Sequence, residues 1–281
     1  MSSTAYVHVS GSNRVRRESA LASLRRRLGG FASVAALATL FVASALSTTR
    51  AATTATVGTW FLVAAAVLAV ELWWALRQLD RNRRAGETLF ARLGAGNLVT
   101  LGRGVLLAWV AAFVVVDWAE TAALLWIPAA LYGTAAALDL LDGTLARRND
   151  RVTGFGTALD LEYDALGVLV ACSVGVVAGL LPVWYLSVGF ARYAFGLARD
   201  LRRRRGAPVY DLPPRVGRRL LAGLQMAFLA VALSPVPDQR ARAVGAVAFG
   251  GALLLGFARD WLYVSGRVGD GATKPTEHVV D

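Results

Sequence analysis

The chain has 281 residues, of which 56% are hydrophobic, and its mean hydropathy is +0.50. This length would allow two soluble domains, but the long apolar runs exclude them and indicate a membrane protein. The net charge of +11 does not indicate a nucleic-acid partner, because nearly all basic residues are arginines at loop edges and Lys274 is the only lysine. We therefore predict an all-α, polytopic membrane helix bundle whose arginines contact membrane lipids and no nucleic acid.

The predicted elements, in chain order, form four segments. These are a polar basic leader over residues 1–30, two transmembrane helices and an amphipathic linker over 31–96, six further predicted helices over 97–265, and a polar tail over 266–281. We expect the leader to be mobile or to lie on the membrane. In the linker, Leu89, Phe90 and Leu93 recur at helical spacing, which predicts a short surface helix.

About eight windows are apolar and long enough to cross a bilayer. They cover residues 31–47, 57–76, 98–116, 121–140, 159–181, 183–197, 216–233 and 243–264. Arginines cluster before the first window, after the second and around the loop at 199–219, whereas the opposite connections are poor in them. By the positive-inside rule, we predict a multi-pass protein of the cell membrane with both termini and the segment 139–164 on the cytoplasmic side.

One polar segment interrupts these apolar windows. It reads Asp139-x2-Asp142-Gly143-x2-Ala146-Arg147-x8-Gly156-x3-Asp160-x3-Asp164. The first two aspartates are three residues apart and the last two are four apart, so each pair projects from one face of its own helix. Four carboxylates close together beside a bilayer require a cation, and hard oxygen ligands favour magnesium, manganese or calcium.

The eight motif positions resemble, without a gap, the signature of the CDP-alcohol phosphatidyltransferases. The resemblance covers roughly Asn97 to Val264, and Asn97, Thr100 and Arg103 are similar to the Asn-x2-Thr-x2-Arg that often opens the first core helix of that family. The family core has six helices, so the first two predicted spans are an addition to it.

The resemblance implies the reaction and most of the site. Asp139, Asp142 and Asp160 would bind one or two Mg²⁺ or Mn²⁺ ions, and Asp164 would be both a ligand and the general base. The acceptor hydroxyl would attack the phosphorus of a CDP-linked donor, such as CDP-diacylglycerol, and CMP would leave, as a step of phospholipid biosynthesis. The nucleotide would lie against Asp139 and Asp142 and four further motif residues: Gly143, Ala146, Arg147 and Gly156. The three small residues leave room for it beside the backbone.

The alcohol acceptor stays open at this point. The resemblance suggests that Arg192, inside the sixth span, receives a phosphate of the acceptor, although a side chain that extends to the interface explains it equally well. Arg103 is a second candidate for acceptor binding, but a topological role is favoured. Ala165 and Leu166 follow the last aspartate where some branches carry a basic residue, so glycerol phosphate, an inositol phosphate, serine and other alcohols all remain. We also expect a homodimer.

Two other functions fit parts of this sequence less well. A membrane prenyltransferase also binds a diphosphate through metal ions, but its two aspartate clusters lie on well-separated helices, whereas this chain has one compact cluster. A non-enzymatic transporter would place acidic residues along a pathway at the membrane midplane. The predicted carboxylates lie instead at the cytoplasmic ends of helices, which disfavours transport.

Overall fold

A computed structural model describes residues 3–49, 53–118, 122–148, 152–212 and 216–268. In these ranges the chain is helical and has no strand. The eight long helices of the described residues are α1 (Ser3–Ser47), α2 (Thr54–Gln78), α3 (Ala95–Ala112), α4 (Trp126–Arg148), α5 (Gly154–Val177), α6 (Leu186–Arg204), α7 (Val216–Ala232) and α8 (Gln239–Val264). One helix therefore lies at each predicted window, and the all-α prediction is confirmed for this part of the chain.

Four of these helical segments are long and apolar enough to cross a membrane: Arg14–Ser47, Thr54–Arg81, Ala95–Val115 and Gln239–Val264. The chain is thus a membrane protein by length and composition, but the full count of eight crossings remains a prediction. The other four helices differ from these in charge or in length. Helices α4 and α5 carry the motif aspartates, α6 ends in Arg202, Arg203 and Arg204, and α7 has only 17 residues.

Several helix ends follow local sequence. The Thr53 hydroxyl caps α2 by accepting a hydrogen bond from the Thr56 amide at 3.2 Å, and Asp238 Oδ1 caps α8 by accepting from the Ala241 amide at 2.7 Å. After α5, Gly179 adopts a φ of 68°, a left-handed conformation that glycine reaches without strain. These residues begin or end helices where the sequence supplies an oxygen cap or a glycine.

The leader differs from its prediction. Helix α1 is continuous through residue 30, so no boundary separates the leader from the first apolar window. Leu24 and Leu28 lie one turn apart on α1 and are 0% and 4% exposed. This stretch is therefore an ordered part of α1 whose apolar face packs against the protein, and its position relative to the membrane stays a prediction.

The linker after α2 also differs from its prediction. A short 3-10 helix, Leu79–Arg81, follows α2, and residues 82–94 are not helical. The side-chain nitrogen of Asn82, Nδ2, donates hydrogen bonds to the backbone carbonyl oxygens of Phe90 and Arg92, both at 3.1 Å. Gly86 has a φ of 77°. The predicted surface helix is wrong because this side-chain bonding and a left-handed glycine fold the segment into a loop.

The chain divides into two compact units. The first contains residues 1–124 and 134–164, and the second contains residues 125–133 and 165–281. In the first unit, α1, α2 and α3 share a core of Ala35, Leu68, Val105 and Ala108, and Trp109 Nε1 donates to Thr39 Oγ1 at 3.0 Å. Small residues allow such close packing between membrane helices. The two helices that precede the predicted core therefore pack directly on α3.

The second unit has its own packed interior. The Gln225 amide of α7 donates to the Tyr185 hydroxyl at 2.6 Å, and the Phe228 and Phe249 rings stack with their centroids 5.2 Å apart. Helix α8 contains a π-helical turn, Ala246–Gly250. A Cβ at Gly250 would lie 2.5 Å from the Tyr185 ring, so this glycine is needed for the close approach of α8.

Candidate metal centre

Three aspartates of the motif come together in the first unit. Asp139 lies on α4, and Asp160 and Asp164 lie one turn apart on α5, so the two α5 carboxylates point to the same side. One carboxylate oxygen of each residue lies within 4.8 Å of the other two. Asp142 also belongs to α4, but its side chain lies outside the described residues. The structure thus brings together three of the four aspartates that the sequence singled out.

A buried arginine lies among these carboxylates. Arg103 of α3 donates from Nη1 to Asp139 and, at 3.2 Å, to Asp160 Oδ1. Its Nη2 donates to Asp164 Oδ1 at 2.8 Å and to the Asp160 carbonyl oxygen at 3.2 Å. One guanidinium therefore ties three carboxylates on two helices to a third helix. Such charge-assisted bonds are among the stronger hydrogen bonds of proteins.

The centre is buried on the side of Arg103 and exposed on the side of the carboxylates. The Arg103 side chain is 3% exposed, whereas the Asp139, Asp160 and Asp164 side chains are 25%, 46% and 37% exposed. A solute can therefore reach the carboxylates but not the guanidinium behind them. The donors toward solvent are carboxylate oxygens, the ligand type that Mg²⁺, Mn²⁺ and Ca²⁺ prefer. Three oxygens at this spacing, in excess over the one cationic side chain described here, fit a hard divalent cation.

A polar network fixes the first turns of α3 and α5, the helices that carry Arg103, Asp160 and Asp164. Asn97, at the beginning of α3, donates from Nδ2 to Asn82 Oδ1 at 3.1 Å and to Thr153 Oγ1 at 3.4 Å. Thr153 Oγ1 also accepts from the Gly156 amide at 3.1 Å, which caps α5. Asn82 and Asn97 are 0% and 6% exposed. This network joins the linker, α3 and α5, and it orients the two helices that carry Arg103, Asp160 and Asp164.

Gly156 has a packing role in this network. A Cβ at this position would lie 2.5 Å from Asn97 Oδ1. Asn97 has little freedom to move away, because its amide is held by Asn82 and Thr153. The sequence predicted that Gly156 leaves room for a nucleotide. The structure supplies a separate reason for a glycine, which is the contact with Asn97.

The added helix α2 reaches the back of the centre through Glu71. Glu71 is 5% exposed, and neither of its carboxylate oxygens has a hydrogen-bond partner among the described residues. A Cβ at Gly104 would lie 2.8 Å from the Tyr163 ring and 2.9 Å from Glu71 Oε2. Gly104 follows Arg103, and Tyr163 precedes Asp164. The close packing of α2, α3 and α5 therefore depends on a glycine next to the centre.

The remaining predicted site residues are placed as follows. Gly143, Ala146 and Arg147 belong to α4, and their side chains lie outside the described residues. Arg192 lies on α6, in the second unit, and is partly buried. Its expected role toward an acceptor phosphate therefore stays a prediction, as does nucleotide binding by the motif residues.

Two features of the centre were missed by the sequence. Arg103 was interpreted mainly as a topological charge, yet it is buried among the aspartates. Its spacing from Asn97 and Thr100 places the three residues near one face of a helix, but it does not show which groups that face contacts. Glu71 was not identified from the sequence, although an acidic residue within a predicted membrane span marks a candidate functional position.

Comparison with known proteins agrees with this geometry. The family model described as CDP-alcohol phosphatidyltransferase matches residues 94–258, which is more than half of the chain. The match begins just before α3 and ends within α8, so it includes Arg103 and all four motif aspartates, and α1 and α2 lie outside it. A comparison with curated proteins finds no match to this chain.

Proposed function

Because the chain belongs to the CDP-alcohol phosphatidyltransferase family, we propose that it transfers a phosphatidyl group from a CDP-linked donor to an alcohol and releases CMP. The proposed donor is CDP-diacylglycerol, whose acyl chains suit an enzyme embedded in a membrane. The acceptor is an alcohol of a class still to be determined. The proposed role in the cell is phospholipid biosynthesis.

One observation carries this proposal beyond the family match. Carboxylates from two helices converge within 4.8 Å of one another, in the register that the family motif predicts. In this proposal Asp139, Asp142, Asp160 and Asp164 hold Mg²⁺ or Mn²⁺. When bound, such an ion neutralises charge on the donor diphosphate and orients the leaving group. An oxygen-only set of this kind suits a diphosphate-binding cation better than it suits zinc.

The chain's own residues then have defined tasks. Asp164 accepts the proton of the acceptor hydroxyl as the hydroxyl oxygen forms a bond to the phosphatidyl phosphorus. The bond between that phosphorus and the bridging oxygen breaks, and this oxygen leaves with CMP. Gly143, Ala146 and Gly156 leave space for the nucleotide, and Arg147 supplies positive charge to a phosphate or to a motif carboxylate. Arg192 is proposed to bind the acceptor.

Purified protein can be incubated with radiolabelled CDP-diacylglycerol and a panel of alcohols. We expect CMP and one new labelled lipid, only with Mg²⁺ or Mn²⁺ present, and no product after chelation. The matched control is an Asp139→Asn variant whose melting temperature equals that of the wild type, which shows that it is folded. This variant should be inactive. Full activity in chelator would contradict the metal assignment. Product formed only from a prenyl diphosphate, without CMP release, would contradict the proposed reaction class.

We further propose that the enzyme is a homodimer whose two termini and active site face the cytoplasm. A labelling experiment tests the orientation, because the only native cysteine, Cys172, is buried. A cysteine at the exposed Gln239 should react with an impermeant reagent from outside the cell, whereas one at the exposed Arg205 should not. The choice of Gln239 preserves the cap made by Asp238. The opposite pattern would invert the topology.

A further inference from the structure

We propose that Arg103 is the resident counter-ion of the acidic centre, which holds the aspartates together in the metal-free protein and limits how tightly a divalent cation binds. This inference rests on the proposed metal-dependent function. It makes Arg103 a positioning residue, in place of the acceptor-binding or topological roles that the sequence suggested. The entering cation would take over the charge compensation that the guanidinium provides.

The contacts of Arg103 carry the first step. Its two terminal nitrogens donate to Asp139, Asp160 and Asp164, which are the same three residues whose oxygens lie within 4.8 Å of one another. The contact from Nη2 to the Asp160 carbonyl oxygen, at 3.2 Å, anchors the planar fork to the α5 backbone as well. A guanidinium held at this many points is ordered rather than flexible.

Burial carries the second step. The Arg103 side chain is 3% exposed, so its charge is only weakly screened by solvent. A buried charge persists only when it is paired, and three carboxylates at this distance repel one another unless a cation lies among them. Arg103 and the aspartates therefore stabilise each other while the metal is absent. A surface arginine with a topological role would not be enclosed in this way.

The carboxylates of the acidic centre outnumber the arginine that they share. Among the described residues, three carboxylates and one guanidinium leave two negative charges in excess. The cation and the guanidinium share the same carboxylates, so they repel each other across a few ångströms. Arg103 thus weakens metal binding while it keeps the empty site assembled, and both effects have one electrostatic cause.

Mn²⁺ titration of the purified protein tests this inference, with free Mn²⁺ followed by its paramagnetic resonance signal. We expect Arg103→Gln to bind Mn²⁺ at least about tenfold more tightly than the wild type, because a neighbouring positive charge is removed. Arg103→Lys keeps the positive charge, so its Mn²⁺ affinity should be closer to that of the wild type than the affinity of Arg103→Gln is. Arg218→Gln, which removes an arginine paired with Asp260 in the second unit, is the matched control and should leave the affinity unchanged.

Thermal melting supplies a second readout that does not depend on transfer activity. In chelator, Arg103→Gln should melt at a lower temperature than the wild type, and saturating Mg²⁺ should raise its melting temperature by more than it raises that of the wild type. A purely structural arginine would lower both melting temperatures equally. The metal-induced shift therefore separates a counter-ion from a packing residue.

Each outcome decides the inference. Mn²⁺ affinity in Arg103→Gln that is equal to or weaker than that of the wild type overturns it. A variant that does not fold even in saturating Mg²⁺ also overturns it, because the cation must be able to replace the guanidinium charge. If the wild-type protein binds no Mn²⁺, the metal assignment of the proposed function fails as well. Absence of CMP release from a wild type that does bind Mn²⁺ contradicts the proposed function alone.

Discussion

Two ionic groups of this protein, one in each unit, use arginine in different ways. In the second unit, Arg218 donates from Nε to Asp260 Oδ2 at 2.7 Å and from Nη2 to Asp260 Oδ1 at 2.9 Å. That pair is balanced and bidentate, and both carboxylate oxygens are occupied. In the first unit, one arginine serves three aspartates. The Arg218–Asp260 pair joins two helices, whereas in the proposed metal site three carboxylates share one arginine.

The surroundings of the two groups differ as well. Arg218 is 34% exposed and Asp260 is 15% exposed, whereas Arg103 is 3% exposed and its partners face solvent. In the acidic centre the cationic side chain is therefore buried and the acidic side chains are accessible. In the proposed function, a divalent cation that approaches from solvent therefore reaches the carboxylates before the arginine. Both groups contain an ion pair, so an ion pair alone does not distinguish them. They differ in the number of carboxylates per arginine and in whether the arginine or the carboxylates are more buried.

The largest expected effect separates the base from the ligands within the acidic centre. Asp164→Asn should slow transfer by about two to four orders of magnitude, the range for loss of a general base, while donor binding is largely kept. Asp142→Asn should weaken metal and donor binding together, because it removes a ligand. Single-turnover CMP release and donor binding measure the two effects. If the two variants lose metal affinity, donor binding and transfer to the same extent, Asp164 acts only as a ligand and another residue must be the base.

A smaller effect is expected at Gly156, which supports the acidic centre from below. Gly156→Ala places a Cβ against Asn97 Oδ1, and displacement of Asn97 breaks its bonds to Asn82 and Thr153. We expect a loss of about 1–3 kcal/mol in the free energy of unfolding, with weaker Mn²⁺ binding. Gly102→Ala is the matched control, because a Cβ there has nothing within 4 Å. Equal melting temperatures of the two variants would contradict the close contact.

The smallest effect is expected at the balanced pair. Arg218→Gln should lower the free energy of unfolding by about 1 kcal/mol or less, because the arginine is one third exposed and solvent screens the interaction. The metal-induced rise in melting temperature should equal that of the wild type. A change in that rise would show that the second unit's ion pair influences the acidic centre, and the contrast between the two groups would be lost.

The candidate site was predictable to the extent that it depends on local spacing. The separation of Asp160 from Asp164 by four residues places both on one face of a helix, whatever the helix packs against. The position of Arg103 among them depends on α3 packing beside α4 and α5, and no local spacing contains that information. Asn97, Thr153 and Gly156 are similar cases, because their contacts join residues up to 59 positions apart along the chain, as from Asn97 to Gly156.

The sequence by itself determined that this is a helical membrane protein and that it carries the family's eight-residue motif. The first property follows from hydropathy, and the second from residue identities at fixed spacing that resemble the family signature; both are local. The tertiary structure alone decided that the linker is a loop held by Asn82, that the leader packs through Leu24, and that Arg103 neutralises part of the acidic centre. Each of these outcomes depends on burying a polar or apolar group against distant parts of the chain, where the free energy is set by partners that sequence neighbours do not reveal.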